Sequence, residues 1–390
     1  MNKTIDAGYS KKKLGTLFFL IGFVLILTDS KISTTMFAYN FPVLLRNLFL
    51  WSGRGILVFK FILFDSEYSI RDFFLSFCVL ILFSICCIKS GYTAIIDIGL
   101  LIVAAKGVNF DKVLNTYIVV TILTIIITIS AMKLGIIENV ISNRTGSMKL
   151  RNSFGFIYAT DFASTLFWLV LATIYRFRYE YHYWHSILGL IVAYITYRFS
   201  DARLSTGLLL LALLFEWMAS RKAIINSEKF KLILGKFAIW IMPLSAALSI
   251  IVTVFYTPSS LIMSTLNTLF TSRLELQHSG FLEYGFKIFG QPVNMIGMSG
   301  TYVHSIINNY FYIDNAYVQM MMRYGIVFMV IIIYLFIKST KKAITNHDIL
   351  FLFIMIIISF SGLIEQHLFQ IAFNPFLLKT FSEYRARKNI

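Results

Sequence analysis

Val113–Ala131 reads VLNTYIVVTILTIIITISA, and no side chain in it carries a charge. A run like this is close to the length a helix needs to cross the hydrocarbon core of a bilayer. Leu232–Tyr256 and Ala316–Ile337 are built the same way, each interrupted by a single cation. The whole chain follows suit: of 390 residues, 58% are hydrophobic and 14% charged, with a mean hydropathy of +0.75. A soluble domain would carry about a quarter charged residues. Solid apolar blocks also exclude a transmembrane β-barrel, whose strands alternate apolar and polar residues. The fold class expected is an all-α polytopic integral membrane protein, one membrane domain over 1–390.

Lys11–Lys13 precede Leu14–Leu27, but no small-residue cleavage site follows, so this segment reads as a first span rather than a removed signal. The net charge of +16 lies mostly in short loops between apolar runs. The positive-inside rule accounts for that distribution, so the bilayer is the expected partner and nucleic acid is not. Cys78, Cys86 and Cys87 sit in one apolar run and suit neither a disulfide framework nor a metal site. His278 and His304 are far apart and lack carboxylates at ligand spacing, so no zinc site is expected.

Candidate spans are 14–30, 42–64, 73–89, 92–106, 113–133, 155–175, 183–199, 204–220, 237–256, 314–338, 348–364 and 366–381. About twelve spans put the basic N-terminus, the 221–236 loop, Lys338–Lys342 and the basic tail on one side, with both termini cytoplasmic. Eleven would strand the tail outside. Between spans nine and ten lies the long stretch Thr257–Ile313, too apolar and aromatic to be disordered. Pro258, Ser259 and Ser260 signal a helix start, and Leu261, Ile262, Thr265, Leu266, Leu269 and Phe270 recur at helical spacing. The expectation is an outer-face amphipathic helix leading to Arg273, then an ordered cap broken into turns by glycines.

Ionisable groups at membrane depth are costly unless paired or solvated, so those near the outer boundary are functional candidates. They include Arg144, Lys149, Arg151, Asp161, Asp201, Arg203, Arg273, Glu275, Glu283, Asp314 and Glu365. Simpler roles compete with function: Asp314 is placed to cap span ten, Glu283 to be a solvated loop charge, and Arg144 and Lys149 to meet lipid headgroups. Arg203 and Arg273 stand where an outward aqueous cleft would meet the bilayer surface. Arginine's planar fork grips phosphate oxygens in pairs, which suits a lipid diphosphate. A lipid-linked oligosaccharide flippase or another multi-span transporter is the rival reading. A transporter would place its charges at the midplane, between matched broken helices.

SRLELQHSGFLEYGFKIFGQ (272–291), followed by YFYIDNAYVQMMMRYGIVF (310–328), resembles the bacterial polysaccharide repeat-unit polymerases, the Wzy proteins. RNSFGFIYATDFAS (151–164) resembles an R-x-x-x-G-F segment of that family, and DARLS (201–205) its short basic motif before a span. The related O-antigen ligases carry a histidine where this chain reads Ile313-Asp314-Asn315, which favours a polymerase. The resemblance implies a GT-C-like membrane glycosyltransferase of the bacterial cytoplasmic membrane, acting on undecaprenyl-diphosphate-linked oligosaccharides without a cofactor. Flippase and chain-length regulator proteins would be its partners. Arg273, Arg203 and Arg151 would stabilise the diphosphate. Asp314, Glu275 and His304 are the contenders for the base that activates the acceptor hydroxyl. Tyr302, Tyr310, Phe311, Tyr312 and Tyr317 are candidates for stacking on sugars, Asn315 for the turn at the helix mouth, and Gly285, Gly290 and Gly325 for turns or close backbone approach.

Overall fold

The structure, a computed structural model, describes residues 2–64, 70–143, 149–179, 183–221, 227–270, 272–297 and 310–383. Among the described residues, five helices are long and apolar enough to cross a membrane: Lys11–Ile32, Phe73–Ser90, Phe110–Lys133, Arg203–Ser220 and Glu228–Val254. They lie in α1 (Asn2–Ile32), α4 (Ile70–Ser90), α6 (Phe110–Lys133), α9 (Arg203–Ser220) and α10 (Glu228–Val254). Between them run α2 (Phe37–Asn40), α3 (Val43–Leu63), α5 (Ala94–Ala104), α7 (Ala159–Arg176) and α8 (Tyr183–Ser200). On α10 the exposed residues Trp240, Leu244, Leu248 and Ile251 recur at helical spacing, and α6 exposes Leu123, Ile126 and Ile127. Soluble proteins rarely expose apolar stripes of that extent, whereas lipid tails cover them at no cost. The chain is an all-α membrane protein.

Local chemistry starts several of these helices. Asn109 accepts from the Asp111 N–H at the head of α6, and Ser227 from the Phe230 N–H at the head of α10. Asp348 does the same for α15 (Ile349–Ser361), accepting from the Phe351 N–H. Every residue of α15 except Phe360 is buried. It forms the axis of the bundle, packed against α7, α9, α10 and α14 (Ile326–Thr345).

Four expected spans take other forms, among them 348–364, where the helix is the 13-residue α15. The span expected over 92–106 is the 11-residue α5, sunk into the bundle with Gly99 against the Phe83 ring. Its rise of about 16 Å is half the hydrocarbon thickness, so protein rather than lipid must surround it. The span expected over 314–338 breaks. A short α13 (Ala316–Gln319) runs into a π-helical turn (Met320–Tyr324), and α14 restarts after Gly325 at φ +101°. Residues 287–291 supply hydrogen bonds at the break: Ile326 N–H donates to Lys287 O (3.1 Å) and Gln291 N–H to Arg323 O (3.1 Å). A Cβ on Gly290 would strike the Arg323 carbonyl, and one on Gly325 the Gly290 nitrogen, so both positions demand glycine.

No helix forms over 366–381. The segment is two 3₁₀ turns, Gln366–Phe369 and Pro375–Thr380, joined by a tight turn in which the Phe373 and Asn374 N–H groups donate to Gln370 O, and it is largely buried. Pro375 lacks the N–H a continuing helix would need. Asn374 closes the gap, donating from Nδ2 to Leu368 O (2.8 Å) and accepting from the Phe376 N–H (2.9 Å). Tyr117 of α6 donates its hydroxyl to the Phe373 carbonyl. Irregular backbone at membrane depth survives only with such partners.

At one end of the bundle sit an antiparallel hairpin, β1 (Ile141–Asn143) with β2 (Leu150–Asn152), and the helices α11 (Leu261–Leu269) and α12 (Arg273–Tyr284). The amphipathic helix expected before Arg273 is thus present, with Leu261, Ile262 and Leu269 exposed. At the opposite end Arg178 pairs with Asp111 (2.7 Å), Lys12 with Glu383 (2.6 Å), and Lys342 donates to Ser382 O (2.8 Å).

Candidate functional site

Arg273 is the first residue of α12, set by a sharp reversal after α11. Ser272 takes a left-handed conformation (φ 62°). Asn267 of α11 bridges the corner, its Oδ1 accepting from the Glu275 N–H (3.2 Å). The guanidinium then reaches the mouth of α13. Its Nε lies 2.8 Å from Asp314 Oδ2 in an ion pair, and its Nη1 donates to the Ile364 carbonyl at 2.9 Å.

Asp314 is free to receive it because its neighbour does the capping. Asn315 Oδ1 accepts from the Tyr317 and Val318 N–H groups at 3.0 and 3.1 Å. The N-cap role expected for Asp314 therefore belongs to Asn315, one residue on. Asn315 also donates from Nδ2 to Ser249 Oγ (3.0 Å) and Leu363 O (2.9 Å). With Ala316 N–H on Gly362 O (2.9 Å), the three carbonyls of the turn after α15 are taken by Ala316, Asn315 and Arg273.

The turn after α15 adds more polar groups. Glu365 accepts from Ser164 Oγ of α7 (2.9 Å) and Ser205 Oγ of α9 (2.7 Å). His367 Nε2 lies 2.9 Å from Asp161 Oδ1, both side chains buried. Gln366 Oε1 accepts from the Tyr312 hydroxyl and from Gln319 Nε2 (3.0 Å). The Tyr158 and Tyr312 rings stand 6.4 Å apart, flanking the carboxyls.

Three carboxyls and two arginines thus share one region. Burial pushes the Asp314 carboxyl above the usual carboxylate range, against the opposing pull of Arg273 and then Arg151. About a quarter of its side chain is still accessible. Glu365 is also raised by burial, with the two serine hydroxyls and Arg273 opposing and the Asp314 charge reinforcing. Burial likewise pushes the Tyr310 hydroxyl up to about 12, so it stays a proton donor at neutral pH.

Comparison with protein-family models, with curated proteins and with solved structures finds no match for the chain. The site must be read from its own chemistry.

Of the residues singled out from sequence, Arg273, Asp314 and Arg151 come together. Arg151, on β2, donates from Nε to Ser200 O (2.8 Å) and lies close enough to act on Asp314. Arg203 begins α9 at the rim: its side chain is 64% exposed and sits 3.6 Å from Asp201. Glu275 faces away from Asp314, accepting from Asn267 Nδ2 (3.3 Å), because residues two apart on a helix point in different directions. Tyr317 is fully buried and donates to Ser359 O (2.8 Å), so it is a core residue and cannot stack on a sugar. Gly285, at φ +64°, ends α12, where the Gln291 amide caps its carbonyl (3.0 Å). His304 and Tyr302 lie outside the described residues.

Asp161, Glu365 and His367 carry the same sequence signal as Arg273, an ionisable group amid apolar chain, yet only the fold joins them. Ser164, Ser205 and Gln366 carried no signal of their own.

Proposed function

We propose that the chain is a membrane glycosyltransferase that polymerises lipid-diphosphate-linked oligosaccharide repeat units into a surface polysaccharide. One observation carries this reading. Of the three segments that resemble the repeat-unit polymerases, 151–164 is distant in sequence from 272–291 and 310–328. The three deliver Arg151 and Asp161, Arg273, and Asp314 to a single cluster. Convergence of that kind is what a shared active site requires and what scattered chance similarity does not produce.

The chemistry suits the groups. An acceptor sugar hydroxyl attacks the anomeric carbon of the growing chain, and the bond from that carbon to the diphosphate oxygen breaks. Asp314 takes the hydroxyl proton. The departing lipid diphosphate carries the developing charge, which Arg273 and Arg151 stabilise with donors already in place. Arg273 has Nη2 to offer, since only its Nε and Nη1 are engaged among the described residues. Diffusion of both substrates within one membrane plane eases their alignment. Asp314 ranks above Glu275 as base because it faces the guanidinium and Glu275 does not. Arg203 at the rim would guide the headgroup in.

In this reading the chain crosses the bacterial cytoplasmic membrane about twelve times, with α5 and the 366–380 segment as short buried passes. The basic end carrying Lys12, Arg178 and Lys342 faces the cytoplasm, and the Arg273–Asp314 end faces outward. Purified protein in nanodiscs, supplied with a matched undecaprenyl-diphosphate repeat unit, should produce a ladder of polymer lengths on a gel. A chain that leaves a matched unit unextended is not a polymerase, and the flippase or transporter reading would take its place.

A further inference from the structure

Arginines in this protein are partnered with one pattern of exceptions. Arg46, Arg54, Arg178, Arg203 and Arg273 each lie within salt-bridge distance of a carboxylate. Arg198 and Arg221 do not among the described residues, but both are exposed and can be solvated. Arg323 is different. It is partly buried in the π-helical turn, its Nε is sealed from solvent, and no described residue accepts a hydrogen bond from any of its nitrogens.

The guanidinium is nonetheless held firmly. It lies 3.8 Å over the Tyr92 ring and 5.7 Å from that of Tyr324. Tyr92 is itself fixed: its hydroxyl donates to Val293 O (2.8 Å) and accepts from the Val293 N–H (3.2 Å). The Gly290–Gln291 backbone closes the other side through the bond to Arg323 O. The sealed Nε is costly to leave without an acceptor, and the two terminal nitrogens of the same fork keep donors free for an anion. Lys287 and Ile288, whose carbonyls accept from the Ile326 and Val327 N–H groups, are exposed at the break. A cation next to an exposed apolar side chain suits a lipid headgroup boundary.

We propose that Arg323, stacked on Tyr92, binds the phosphate oxygens of a membrane lipid headgroup. This site is separate from Arg273. The two ends of the 314–323 segment are about 13 Å apart if helical throughout, and Arg323 faces Tyr92 of the α4–α5 turn while Asp314 faces α12. Arginine is suited to such a ligand because its planar fork meets two phosphate oxygens at once. The inference stands on the unsatisfied guanidinium and does not require the polymerase reading. If that reading holds, the ligand is the diphosphate of the second lipid-linked unit, which a polymerase must hold while the first reacts.

The test is lipid binding by the full chain, measured by native mass spectrometry from nanodiscs. Three probes are offered in turn: a polyprenyl diphosphate, phosphatidylglycerol in a phosphatidylcholine background, and free inorganic pyrophosphate. Wild type should retain a phosphate-bearing lipid over phosphatidylcholine, and Arg323→Gln should lower that retention tenfold or more. Arg323→Lys, which keeps the charge and loses the fork, should fall between them, and it carries the test if the glutamine variant does not fold. Tighter retention of the polyprenyl diphosphate identifies a substrate site, and equal retention of phosphatidylglycerol identifies a structural lipid. Retention unchanged in folded Arg323→Gln or in Arg323→Lys overturns the proposal. So does Arg323-dependent binding of pyrophosphate without any lipid.

Discussion

Two arginine–aspartate pairs in this molecule use the same residue types for opposite ends. Arg54 and Asp97 form a closed pair between α3 and α5, with Nε on Oδ1 at 2.7 Å and Nη2 on Oδ2 at 3.0 Å. Trp51 covers the guanidinium, and each side chain is only 10% exposed. Arg273 and Asp314 form an open pair, with one N–O contact, about a quarter of each side chain accessible, and carboxyls and tyrosines around them. A bidentate pair buried on all sides has nothing left to offer a ligand. A single-contact pair at a helix mouth keeps donors in reserve. The geometry of a charge pair, more than its presence, separates a brace from a site.

The sharpest break between the pairs comes from removing each arginine. Arg54→Ala should leave Asp97 buried and unpaired at a cost of about 3–5 kcal/mol, read as a lower unfolding midpoint and a poor yield of folded protein. Arg273→Ala should leave the unfolding midpoint close to wild type while polymerisation falls about 10²–10³-fold, the usual cost of losing one donor to a developing anion. Equal loss of stability in the two variants would erase the distinction.

Asp314 sharpens the comparison through pH. Its folded carboxyl is raised above the ordinary value of about 4. As a base it must be ionised, so the acid limb of the rate should lie above the usual carboxylate range. Stability runs the other way. A raised folded value favours the protonated folded state, so this contribution is complete below about pH 4 and is lost as pH rises through the raised value. Asp314→Asn should abolish the acid limb and flatten that part of the stability profile together.

The smallest effect is expected at Glu275, two residues from Arg273 but turned towards α11. Glu275→Gln should change the polymerisation rate by about twofold or less, as an uncoupled surface substitution does. A large loss there would move the base from Asp314 to Glu275.

Part of this is legible in the sequence alone. Apolar runs announce membrane helices, and ionisable residues stranded among them mark Arg273, Asp314 and Arg151. The backbone irregularities were not legible. Hydropathy across 314–338 is continuous, and nothing in it says that Gly325 breaks the run where Gly290 packs against it. Residues 366–381 are equally apolar, so the choice between a helix and two buried 3₁₀ turns falls to Asn374, Pro375 and the distant Tyr117 hydroxyl. Capping by Asn315 rather than Asp314 is a one-residue matter, settled by backbone conformation, and it decides whether Asp314 is free. Glu365 owes its place to Ser164 and Ser205, which are remote in sequence and unremarkable in type.

The most direct test of the central claim is a single-turnover rate on a lipid-diphosphate repeat unit, comparing wild type with Arg273→Ala at saturating substrate in nanodiscs. The account predicts that the folded variant still binds the unit through its lipid and sugars but transfers the chain at least a hundredfold more slowly. A folded Arg273→Ala protein that polymerises at the wild-type rate would contradict it.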